Sequence, residues 1–132
     1  MSGIASVVPA RIMIVEDEGL IAHHLKLILK KAGYHVVATA VSSHEALSKV
    51  RELSPHLILM DIHIQGSMDG IDTTSKLHET SDIPVIYLSG QTDSHTLERA
   101  KGTTAFGTAQ KPFNEKLLLA LIDAALHQQR TE

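Results

Sequence analysis

Apolar positions along this chain follow two alternating rhythms. Ile12 to Val15, the segment 34–40 around Val36-Val37, Leu57 to Met60, and Val85 to Leu88 form short apolar runs, many of them β-branched. Leu57-Ile58-Leu59-Met60 has no wet face at all, which predicts a strand buried on both sides, as in a parallel sheet under helices. Between these runs the spacing changes. Ile21, Leu25, Ile28, Leu29 and Ala32 form the stripe of an amphipathic helix, and Gly33 follows as its stop. Ser42 and Glu45 stand in capping-box spacing ahead of a helix that turns Ala46, Val50 and Leu53 to one side. A glycine-bearing loop over 64–70 leads to a short helix over 71–79. A weaker helix over 94–101 has Asp93 as its cap, and 104–110 reads as a weak fifth strand. The last segment, 114–129, predicts a helix capped by Asn114 with Leu117, Leu118, Leu121, Ile122 and Ala125 inward.

Strand and helix thus alternate five times, with no linker and no internal repeat. Such alternation predicts an α/β domain with a parallel sheet and helices on both faces. Five units are too few for the eight-fold barrel. The expectation is a doubly wound, flavodoxin-like, five-stranded sheet in the order 2-1-3-4-5, whose ligands bind beyond the carboxyl ends of the strands. The domain is expected over residues 11–128, between tails at 1–10 and 129–132.

Composition narrows the function. The 132 residues are 43% hydrophobic, and Lys plus Arg (12) against Asp plus Glu (15) gives a net charge of −3. A net negative domain without a basic run is a poor nucleic-acid binder. Cysteine is absent, so neither a disulfide framework nor a thiolate zinc site is expected. No apolar stretch reaches the roughly 18 residues that span a bilayer, and residues 1–10 lack the basic start and long apolar core of a signal peptide. A cytoplasmic protein that does not enter membranes is the reading.

The polar candidates gather at strand ends. Glu16, Asp17 and Glu18 follow the first strand, Asp61 closes the third, Ser89-Gly90 the fourth, and Lys111-Pro112-Phe113 follow the fifth. The fold would bring all of them to one edge of the sheet. Converging carboxylates repel unless a cation sits between them, and an all-oxygen set suits Mg²⁺ or Mn²⁺ rather than zinc. A lysine and a hydroxyl at the same point suit a phosphoryl group, and an aspartate can itself attack phosphorus. Glu18 reads as an acid placed favourably at a helix start. The nine histidines are scattered and match no metal motif.

"VEDE", "LILMDI", "MDG" (68–70), "VIYLSG" and "KPF", in this order and on these strand ends, closely resemble the CheY-like receiver domain of bacterial two-component response regulators. The resemblance covers about Arg11 to Leu126. It implies that Asp61 is the phosphoacceptor for a sensor histidine kinase or phosphotransfer protein. It implies a Mg²⁺ (or Mn²⁺) held by Asp17, by Glu16 directly or through water, by Asp61, and by the backbone carbonyl of His63. Ser89 and Lys111 would hold phosphoryl oxygens, with Gly90 leaving access, and Lys111-Pro112 would be a cis peptide. A downstream effector would read the face of the fourth helix, fifth strand and fifth helix. The chain also departs from the pattern. The loop from Asp61 to Gly70 is one residue longer than usual and lacks the customary proline, and Gly90 replaces the commoner alanine. Thr108 occupies the switch position where relatives carry Tyr or Phe. Phe106, two residues earlier, is expected on the same face as Thr108 but roughly 7 Å away. The signal would then run through the backbone of residues 89–95. His63 stands either over the phosphoryl group or exposed in its loop.

Three rival functions compete with this reading. A haloacid-dehalogenase-like phosphatase also uses an Asp nucleophile and Mg²⁺, but it wants a carboxylate where His63 stands and its metal-binding acids late in the chain. An electron-transfer flavodoxin wants a Ser/Thr/Gly-rich loop where this chain has "EDEG". A receiver that no longer accepts phosphate is at odds with the intact acids, Ser89 and Lys111. Either a stand-alone receiver or a piece of a longer regulator or hybrid kinase fits the sequence.

Overall fold

The structure is a computed structural model that describes residues 8–90 and 93–130, the last two in backbone only. Residues 1–7 and 131–132 of the expected tails, and 91–92 of the loop after Gly90, lie outside the described residues. Five strands, β1 (Arg11–Val15), β2 (His35–Ala40), β3 (Leu57–Asp61), β4 (Val85–Ser89) and β5 (Gly107–Gln110), alternate with five helices, α1 (Gly19–Lys31), α2 (Ser43–Leu53), α3 (Gly70–Leu77), α4 (Ser94–Lys101) and α5 (Glu115–Arg130). All strand pairs are parallel, in the order β2-β1-β3-β4-β5. The architecture expected from the hydrophobic pattern is the one observed.

Alternation along the central strands sorts their side chains into two apolar layers. Ile12, Ile14, Leu57, Leu59, Ile86 and Leu88 face Leu25 and Leu29 of α1 and Leu118 and Ile122 of α5. Met13, Val15, Ile58, Met60, Val85 and Tyr87 face Ala46 and Val50 of α2 and Ile71 and Leu77 of α3, with Ala100 of α4 packed at the margin. β3 and β4 are buried throughout, as their unbroken apolar runs require. Each fully buried Leu or Ile contributes roughly 1.5–3 kcal/mol, so β3 is a rigid support for the aspartate that ends it.

The helix starts follow the expected caps. Ser42 Oγ accepts from the Glu45 amide at 3.2 Å, and Glu45 Oε1 accepts from the Val41 amide at 2.8 Å, one residue further out than in the usual box. Asp69, Asp93 and Asn114 cap α3, α4 and α5. Gly33 ends α1 at φ +95°, a conformation that glycine adopts without strain.

Three expectations fail locally. β5 begins only at Gly107, so strand alternation does not reach Phe106, which packs in the α1/α5 layer together with Ala109. Thr108 is one step from Ala109 and in register with Tyr87 of the opposite layer, so Phe106 and Thr108 do not share a face. Leu117 is 69% exposed rather than inward. The run Leu117-Leu118-Leu119 fits several helical phases, and the anchors Leu118, Ile122 and Ala125 select the one that leaves Leu117 outside. Ala32, which caps α1, is exposed as well.

Candidate functional site: an acidic pocket at the strand ends

β1 and β3 are neighbours at the switch point of the sheet, and the chain leaves each with acids. The Glu16 amide continues the ladder to Ala40 O at 2.9 Å, which turns its side chain into the protein. Glu16 is 1% exposed and Asp61 3%. Asp17 is half-buried beside them. Carboxylate oxygens of Glu16, Asp17 and Asp61 lie within 4.8 Å of one another. Glu18 is exposed at the start of α1 and caps nothing with its side chain, as expected.

Lys111 reaches this cluster from the end of β5. Its amide donates to Ser89 O at 2.7 Å, which locks the two strand ends together, and Lys111-Pro112 is cis. The Lys111 Nζ lies 2.9 Å from Glu16 Oε1 and 3.4 Å from Asp61 Oδ1. Burial opposes the charge on the ammonium, but Glu16 and Asp61 together hold its pKa above the ordinary lysine value. For Glu16 burial wins. Desolvation, helped by the Asp61 carboxylate and only partly offset by Lys111, pushes its pKa from 4.5 to about 7.

The pocket has more negative charge than one lysine can satisfy. Glu16 Oε2 accepts the Glu18 amide at 3.1 Å. Glu16 Oε1 is buried, and among the described residues no donor is aligned to hydrogen-bond it, despite the nearby Lys111. Of the described residues, that oxygen is met only by the Lys111 ammonium, which Asp61 shares. Three carboxylates served by one lysine form a donor set that fits a hard divalent cation. Among the described residues no other trio of His, Asp or Glu is placed to hold a metal.

The remaining candidates divide. Asp61 Oδ1 accepts the His63 amide at 3.1 Å, which turns residues 61–63 around the carboxylate, while the His63 imidazole is exposed. Ser89 is buried on the same rim, its Oγ 3.3 Å from Gly90 O. A Cβ on Gly90 would lie 3.9 Å from the Lys111 stem, an ordinary contact, so alanine at this position would leave the lysine its place as well. Thr108 is exposed on the edge strand and does not join the pocket.

Two features escaped sequence reasoning. A Cβ on Gly70 would run into the Asp61 carbonyl oxygen, so the "MDG" glycine is required by the main chain of the residue that ends β3. Arg99 of α4 forks onto Asp69 (2.8 and 3.3 Å) and Asp72 (2.9 Å).

A doubly wound sheet that collects acids, a lysine and a serine at its carboxyl edge defines a class of phosphoryl-handling signalling domains. Comparison with known proteins gives the family. The response regulator receiver domain matches residues 12–123, and the chain belongs to that family. It is 33% identical over 122 residues to the DNA-binding response regulator MtrA of Mycolicibacterium smegmatis, covering 92% of this chain and 53% of that protein. It is 32% identical over 123 residues to the transcriptional regulatory protein PdtaR of Mycobacterium tuberculosis, covering 93% and 60%. The chain therefore spans little more than half the length of these curated relatives. Among solved structures, the signal receiver domain of a modulated diguanylate cyclase from Desulfovibrio desulfuricans superposes with a TM-score of 0.89 at 31% identity, covering 94% of this chain and 98% of that one. A CheY-like receiver from Methanospirillum hungatei gives 0.86 at 28%, with coverage of 94% and 98%. The chain is a signalling receiver domain, and the haloacid-dehalogenase alternative finds no support. Among the described residues no helix is long and apolar enough to cross a membrane.

Proposed function

We propose that residues 11–128 form a receiver whose Asp61 takes a phosphoryl group from the phosphohistidine of a sensor kinase or phosphotransfer protein. The observation that carries this reading is the buried Asp61 carboxylate on a rigid strand end, faced by Glu16, Asp17 and Lys111. Asp61 Oδ1 is engaged by the His63 amide, which holds the carboxylate in one orientation and leaves Oδ2 to attack. The new O–P bond forms as the P–N bond to the donor imidazole breaks, and its electron pair returns to the ring nitrogen. Lys111 Nζ then pairs with a phosphoryl oxygen, and the Ser89 hydroxyl donates to another. Glu16, Asp17, Asp61 and the His63 carbonyl would hold Mg²⁺ or Mn²⁺. Bound there, the metal supplies the positive charge that lets a phosphoryl group approach three acids.

On this reading the chain catalyses only its own phosphorylation and dephosphorylation, in the cytoplasm. A downstream effector reads the α4–β5–α5 face. MtrA is a DNA-binding response regulator, but a net charge of −3 gives no reason to assign nucleic-acid binding to this domain. Intact mass after incubation with acetyl phosphate tests the proposal. Wild type gains about 80 Da, the mass of one phosphoryl group, only with Mg²⁺ or Mn²⁺ present, and it turns over no generic phosphomonoester. The same gain in Asp61→Asn would sink the assignment.

A further inference from the structure

The fourth helix is held to this domain by little apolar burial. α4 buries only Thr96, Ala100 reaches the margin of an apolar layer, and Leu97 is 40% exposed. Little hydrophobic area fixes the helix in place, so its polar contacts decide where it sits. The strongest of these is the Arg99 fork. One guanidinium grips both oxygens of Asp69, at 2.8 and 3.3 Å, and Oδ1 of Asp72 at 2.9 Å. Burial opposes the charge on Asp69, but Arg99 and the Asp72 amide outweigh it and hold this carboxyl below the ordinary range.

Where the fork lands matters more than its strength. Asp69 caps α3 through the Asp72 amide at 2.9 Å. Its neighbour Gly70 donates to Ile62 O at 2.8 Å and lies so close to the Asp61 carbonyl that no side chain fits between. Direct contacts therefore run without a gap from the main chain of Asp61, through Gly70 and Asp69, to Arg99 and α4. Residues 62–70 cannot shift around a changed Asp61 without carrying the Arg99 partners with them. Thr108 is small, exposed and off the pocket, so it adds little to this route, whereas the backbone of 89–95 enters α4 at its other end.

We propose that Arg99 couples the state of the Asp61 pocket to α4. The fork onto Asp69 and Asp72 serves as the drive shaft between phosphorylation and the surface that a partner reads. This rests on Asp61 being the phosphoacceptor. A thinly packed helix whose strongest tether is an ion-pair fork, with Thr103 linking the Ala100 carbonyl (2.7 Å) to the Tyr87 hydroxyl (2.9 Å) at its far end, can exist in two positions of similar energy, and a ligand shifts such an equilibrium only through its differential affinity for them. The fork provides that difference.

The test compares backbone amide NMR spectra, free and saturated with Mg²⁺ and beryllofluoride, for wild type, Arg99→Gln, Arg99→Lys and Asp72→Asn. In wild type the amides of 62–72 and of 94–101 both shift. In Arg99→Gln those of 62–72 still shift, because the pocket is intact, while 94–101 stay at their free positions. Arg99→Lys is intermediate, since a compact ammonium on a shorter stem lacks the planar fork that grips both Asp69 oxygens and Asp72 together. Asp72→Asn keeps the Asp69 cap, removes one arm and loses part of the α4 response; it also serves should Arg99→Gln fail to fold. Shifts of wild-type size over 94–101 in Arg99→Gln, or in Asp72→Asn and Arg99→Lys together, would overturn the proposal. A wild type in which no amide responds to beryllofluoride would instead overturn the phosphoacceptor reading, and this inference with it.

Discussion

Glu16 shows at the residue scale what the pocket costs while no cation neutralises it. Its carboxyl ionises near 4.5 in an unfolded chain and at about 7 in the fold. Between those values the native state binds the extra proton, so stability falls as pH rises through this window and the penalty is level above it. Glu16→Gln keeps the shape of the protonated form and removes the penalty. In metal-free buffer its melting temperature should match wild type below pH 4.5, exceed it increasingly as pH climbs to about 7, and keep a constant lead beyond. Thermal melts followed by circular dichroism across pH check this, and a lead that shrinks on raising pH would reverse the assignment. Gly70 offers a second test at this scale. Its missing Cβ makes room for the Asp61 carbonyl, and forcing atoms into filled space typically costs about 1–3 kcal/mol. Gly70→Ala should lose at least that much in urea denaturation, although alanine is the better helix former.

At the scale of elements, the legible parts are those whose physics is local. β3 and β4 could be read because an unbroken apolar run has no solvent face to offer. The caps Ser42, Asp93 and Asn114 could be read because a capping side chain reaches an amide three residues on. The same locality made the site candidates visible: Glu16, Asp61, Ser89 and Lys111 each end or follow a strand, and parallel topology carries strand ends to one edge. What stayed hidden depends on distant partners. Arg99 meets Asp69 across 30 residues of sequence, and no spacing rule announces it. The short edge strand β5 starts only at Gly107, so period-two spacing misplaces Phe106 on the face of Thr108. The leucine run in α5 left its phase open, and two substitutions measure the outcome. Leu118, 1% exposed, should lose about 2–5 kcal/mol on truncation to Ala. Leu117, 69% exposed, should stay within about 0.5 kcal/mol of wild type. Equal losses in chemical denaturation would mean that the helix is rotated from its described position.

For the whole molecule, pocket and stability are linked by mass action. A cation that binds only the folded chain stabilises it by about 2.7 kcal/mol at a hundredfold excess over its Kd. Mg²⁺ should therefore raise the melting temperature and a chelator should reverse the rise. Asp17→Ala should abolish most of this gain and Glu18→Ala little of it, because Glu18 is exposed and outside the carboxylate trio. Equal effects would mean that the wrong acid has been placed in the pocket. The contact between Lys111 and the Glu16–Asp61 pair also bears on how the domain comes into being. Glu16 is made early and Lys111 late, and the two meet only after three crossovers have laid β3, β4 and β5 side by side. Pairing of this kind is non-local and forms slowly. On the proposed role of Lys111, a nascent chain that still lacks β5 has its acids but not its lysine and should take up no phosphoryl group. Competence to receive a signal would then arrive in one step, with the docking of the last strand.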